Sequence, residues 1–157
     1  MFAKHSASLT AALAAIGILA GTAPLDRRGD PAVAGVIGRL RAIHSAQATF
    51  ASSCGAGAYA SSIQALQAPP LGASVGFISP GLESDAMGYA LSVEPQGLPA
   101  ARLACSGVPV VSGYFAHAEP RPGQERPSFA MDEAGTIYLR QDGQAIARDF
   151  GGAQRLQ

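Results

Sequence analysis

The chain contains no tryptophan and one lysine, Lys4, and its other ten basic residues are all arginine. Charged residues are scarce, at 14%, and the formal net charge is zero. No basic run is present to follow a phosphate backbone, and there is no acidic tail, so nucleic acid is not an expected partner. The longest apolar stretch, residues 9–25, is interrupted by Thr10, Thr22 and Pro24 and falls short of the roughly 20 apolar residues of a confident transmembrane helix. Cysteine is limited to Cys54 and Cys105, neither in a Cys-x-x-Cys pair, so a zinc site is poorly supported. Gly55-Ala56-Gly57 lacks the third glycine and the preceding strand of a dinucleotide loop and reads as a helix stop. No internal repeat is visible, and no cofactor or catalytic residue is expected.

What is there begins with an export signal. Lys4 and His5 precede the apolar stretch, and Gly21-Thr22-Ala23 supplies small residues after it. Residues 1–25 are therefore expected to be a signal peptide, or an inner-membrane anchor if Pro24 blocks cleavage. Either way the remainder is placed in the periplasm or at the cell surface. An even cysteine count in an exported chain predicts a Cys54–Cys105 disulfide, whereas a reducing compartment would leave two free thiols.

After a polar hinge around Asp26-Arg27-Arg28-Gly29, Asp30 reads as a helix N-cap and Pro31 as the first helical residue. Val33, Val36, Ile37, Leu40, Ile43, His44, Gln47 and Phe50 then recur at three- and four-residue steps. They form one stripe on a helix over 31–53, ended by Gly55 and Gly57. Ser61-x-x-Gln64 suggests a capping box for a short second helix, stopped by Pro69-Pro70. Residues 71–88 read as an ordered loop. Strands are predicted over 89–93, 108–118, 128–131 and 136–140, the last two joined by a tight turn at Asp132-Glu133-Ala134-Gly135. The expected fold is α+β: one long helix packed on a four-stranded antiparallel sheet, with the domain at 30–143, its sheet at 88–140, and a frayed tail at 144–157.

Several stretches resemble type IV pilin-like proteins and pseudopilins. GVIGRLRAIHSAQATFASSCGAGAY at 35–59 is similar to the second half of a pilin stem. Gly88-Tyr89, Gly113-Tyr114-Phe115-Ala116 and SFAMDEAGTIY at 128–138 resemble the head. The resemblance spans roughly residues 33–143. It departs at the start, where Ser6-Ala7-Ser8-Leu9-Thr10 stands in place of the family's Gly-Phe-Thr-Leu-Ile-Glu processing site. It implies a ladle-shaped, non-enzymatic subunit, an accessory component of a type IV pilus or type II secretion system. Its partners would be other pilin-like subunits or secretion-system components. The alternative is an exported binding module on the same scaffold, using the loops at 69–88 or 119–127.

Some pseudopilin heads bind calcium, and Asp132, Glu133 and Asp142 are the residues that would hold it here if they met at the sheet edge. The plainer reading leaves these turn carboxylates in water. His44 lies on the helix stripe and reads as a helix–sheet contact with a hydrogen-bonded ring edge, rather than a base or ligand without partners at useful spacing. His117 is expected to face solvent. Tyr59, Tyr89, Tyr114 and Tyr138 read as half-buried sheet residues.

Overall fold

A computed structural model describes residues 29–83 and 87–156; the expected signal or anchor segment at 1–25 lies outside the described residues. Helix α1 is Pro31–Ser53. Its start is fixed chemically: the Asp30 carboxylate accepts from the Ala32 N–H at 2.8 Å, and Pro31 occupies a position whose missing N–H costs nothing. At its far end the Cys54 and Gly55 N–H groups both donate to the Phe50 carbonyl, at 2.9 and 2.7 Å. Val33, Val36, Leu40, Ile43, Gln47 and Phe50 are all buried, while Ile37 and His44 lie at the margin of the stripe.

The short strand β1, Tyr59–Ala60, leads into helix α2, Ile63–Gln67. Ser62, rather than Ser61, caps that helix, accepting from the Ala65 N–H at 3.1 Å. Four further strands follow: β2 Tyr89–Leu103, β3 Pro109–Pro120, β4 Ser128–Met131 and β5 Ile137–Arg140, with β6 at Gln154–Arg155. The antiparallel sheet therefore has six strands, two more than the sequence suggested. Strand β3 is its hub. Val111 pairs with Pro99 of β2 on one side and Tyr59 of β1 on the other, and Ala116 pairs with both Val93 and Met131. One edge of β3 thus carries β2, and the other carries β1 followed by β4.

Alternation along β3 divides the molecule into layers. Tyr114, Ala116 and Ala118 join Leu40, Ile43, Phe50, Tyr89, Phe129 and Met131 in the core under α1. Phe115 faces the opposite side, where Ala130 and Ile146 are buried with it. That second layer is built by residues 144–156, which do not fray as expected. Gln154 and Arg155 pair with Leu139 and Tyr138, Leu156 N–H donates to Ile137 at 2.8 Å, and the Phe150 ring stacks on Tyr138 with centroids 4.0 Å apart. The polar, glycine-rich composition of the tail concealed Ile146 and Phe150 as anchors.

Cys54 and Cys105 form a disulfide, with Cα atoms 4.9 Å apart. It ties the end of α1 to the turn between β2 and β3. Among the described residues, no helix is long and apolar enough to cross a membrane.

Candidate functional site

A groove of about 470 Å³ opens between the C-terminal half of α1, strand β1 and the β4–β5 turn. Ala48 and Ala51 of α1 supply small uncharged walls, while His44, Tyr59, Tyr114 and Glu133 supply its chemistry. Each polar group is positioned by a local structural reason. His44 sits one turn after Leu40 on the stripe margin and reaches β3, where its Nδ1 lies 2.9 Å from the Tyr114 hydroxyl. The Tyr59 ring meets Tyr114 edge-on, with centroids 5.2 Å apart. Burial, then the neighbouring Tyr59 and the carboxylates of Asp132 and Glu133, push the Tyr114 hydroxyl well above its ordinary value. It therefore stays protonated and remains a hydrogen-bonding partner for the imidazole.

Two glycines make this arrangement possible. Gly135 adopts φ +80° in the β4–β5 turn, and a Cβ there would stand 2.8 Å from His44 Nε2. Only glycine allows both the turn and the close approach to the ring. Gly113, beside Tyr114 on β3, lies beneath Glu133: a Cβ at this position would be 2.8 Å from a Glu133 carboxylate oxygen. The Glu133 side chain therefore rests in a notch left by a missing side chain. Among the described residues, no hydrogen bond or ion pair engages that carboxylate.

The residues proposed for calcium are not brought together. Asp132 is occupied within its turn, accepting from Thr136 N–H at 2.9 Å and from the Tyr138 hydroxyl at 3.2 Å. Asp142 lies beyond the opposite end of β5, where the Arg140 guanidinium is 2.8 Å away. That arginine, and then the Gln144 N–H, hold its pKa below the usual carboxylate value. A four-residue strand between the two ends spans about 13 Å, whereas calcium needs its oxygens about 2.3–2.6 Å from one ion. Among the described residues, no group of three or more His, Cys, Asp or Glu side chains is placed to hold a metal.

His117 is half-buried rather than solvent-facing. Its two ring nitrogens lie 3.4 Å from Glu94 and 3.3 Å from Glu119, and its ring stacks on Phe115. Arg148 completes the cluster, donating to Glu94 at 2.6 Å and to the Pro95 carbonyl at 2.8 Å. The Arg148 hydrogen bond is the main cause of a lowered Glu94 pKa. This network fastens the C-terminal layer to β2. The loops at 69–88 and 119–127 are each anchored at one end, while Leu71 and Val75 of the first stay exposed. Arg126 in the 119–127 loop pairs with Asp30 at 3.4 Å and donates to the Met87 carbonyl at 2.7 Å, and Arg39 donates to the Leu82 carbonyl.

Tyr89 and Tyr114 are fully buried, not half-buried. His44 makes the helix–sheet contact expected of it. The groove itself had no sequence signal, because its four functional side chains come from positions 44, 59, 114 and 133, on separate elements. Comparison with family models, with curated proteins and with solved structures found no match to this chain.

Proposed function

We propose that the chain is a non-enzymatic, pilin-like subunit, an accessory component of a type IV pilus or type II secretion system acting outside the cytoplasm. The observation that carries this reading is the union of α1 with the head. One amphipathic helix lies by its buried stripe on an antiparallel sheet, and a disulfide fixes the helix end to the β2–β3 turn. The stretches that resemble pilin-like heads fall at the start of β2, on β3 and on the β4–β5 hairpin of that unit. In support, among the described residues both cysteines lie in the disulfide, His44 bonds Tyr114, and His117 sits between two glutamates.

The test is made in the source organism. Sheared surface filaments and detergent-extracted secretion complexes are mapped by peptide mass spectrometry, beside a deletion strain. The expected result is recovery of the chain at low stoichiometry in one of these fractions, with a piliation or secretion defect on deletion. Absence from both fractions together with a silent deletion would overturn the reading. The groove favours the second reading, an exported binding module on the same scaffold. That reading predicts ligand binding by the isolated protein without any filament or secretion phenotype.

A further inference from the structure

We propose that the groove between α1 and the β4–β5 turn receives an arginine side chain presented by a partner polypeptide. Three observations converge on that chemistry. First, the Glu133 carboxylate is held over Gly113 at the groove, and no cation among the described residues neutralises it. An acidic group placed at a concave site without an internal partner favours a cationic guest. Second, the Tyr59 and Tyr114 rings stand beside it, 5.2 Å apart. Half-buried Tyr59 offers ring surface on which a planar, weakly hydrated guanidinium stacks more readily than a compact ammonium. Third, no lysine or arginine lines the groove; its one basic side chain, His44, is turned to the Tyr114 hydroxyl at 2.9 Å. The volume falls within the range of about 300–1,000 Å³ typical of ligand sites. Ala48, Ala51 and Gly57 leave the rest of the groove free of side-chain charge, which suits the backbone flanking an arginine. The inference goes beyond the assembly reading and does not depend on it, since it concerns the isolated domain.

The experiment is an NMR titration of the disulfide-intact protein with the blocked tripeptide Gly-Arg-Gly. Parallel arms use the citrulline and lysine counterparts and free arginine. Binding is expected to be weak, about millimolar, shifting the Tyr59, Tyr114 and Glu133 amides. The lysine peptide and free arginine should bind more weakly, and the neutral citrulline peptide should not shift these signals. Glu133→Gln should weaken binding about two- to fivefold, the scale of one exposed ion pair, and added salt should do the same. Glu125→Gln, in an exposed loop away from the groove, should leave binding unchanged. Glu133 is itself exposed, so its variant is expected to fold, which an unchanged amide spectrum outside the groove verifies. The proposal is overturned by any of three results: no shifts at the groove, equal binding of the citrulline or lysine peptide, or binding unaffected by Glu133→Gln. Tighter binding of free arginine than of the tripeptide would also overturn it, by removing the polypeptide from the recognised group.

Discussion

Gln47 is fully buried on the face of α1 that meets the sheet. Its side-chain amide works there as a missing strand. Nε2 donates to the Ala60 carbonyl at 2.8 Å, and Oε1 accepts from the Ala60 N–H at 2.9 Å. Ala60 belongs to a two-residue strand and is itself fully buried, so no water can replace either bond. Gln47→Met keeps the length of the side chain but leaves one buried donor and one buried acceptor without partners. At about 1–3 kcal/mol for each of the two orphaned groups, the loss should be about 2–6 kcal/mol. Urea unfolding followed by circular dichroism, with the disulfide intact, measures it. A loss below about 0.5 kcal/mol, the size of an ordinary surface change, would refute the reasoning. Gln47→Glu adds a sign test. The neutral carboxyl can both donate to and accept from Ala60, whereas the carboxylate faces the Ala60 carbonyl oxygen in a buried site. Burial therefore raises the folded-state pKa of the introduced group above its unfolded value of about 4.3. Relative to the parent protein, this variant should be least impaired below about pH 4.3 and should lose stability as pH rises from there to the folded pKa. A variant that is instead most impaired in acid would show that the amide does not face both groups of Ala60.

Two further outcomes are expected. Reducing the Cys54–Cys105 disulfide, whose partners are 51 residues apart, should lower stability by about 4 kcal/mol on the chain-entropy account; unchanged urea melts after reduction and alkylation would contradict it. Leu40→Ala, at a site with no exposed surface, should cost about 2–5 kcal/mol, against under about 0.5 for exposed Arg41→Ala; equal small losses in denaturant melts would show that α1 does not bear on the sheet.

Helix α1 was legible because its start and its packing face follow from local chemistry. Asp30 and Pro31 mark the N-terminus, and the stripe repeats with the helical period, so the expected 31–53 span coincides with Pro31–Ser53. Strand β4 was equally plain, bounded by Pro127 and the Asp132–Gly135 turn. The extension of β2 to Leu103 was not. The expected strand stopped at 93; Pro95, Gly97 and Pro99 follow it, and the ladder absorbs them through register shifts after Gln96 and after Pro99. Strand β1 escaped notice because two residues carry no period, and part of its hydrogen bonding comes from a helix side chain. The tail was misread because its anchors, Ile146 and Phe150, are isolated among polar residues and acquire meaning only when Phe115 and Tyr138 face them. The calcium trio failed for a topological reason: Asp132 and Asp142 are ten positions apart in sequence but lie at opposite ends of the β4–β5 hairpin.

The position of the disulfide also governs how the molecule responds to tension. A pull entering at the start of α1 can unwind the helix toward Ser53, but at Cys54 it passes directly to Cys105 and the neighbouring hub strand β3. The chain between the two cysteines is bypassed. At about 3.3–3.6 Å per residue, this withholds roughly 170–180 Å of contour length from extension. Strands β1 and β2, helix α2 and the loop between them lie inside that crosslink, with β1 and β2 held against β3 by their ladders. While the disulfide is intact, the protein under load can therefore lengthen only outside this segment.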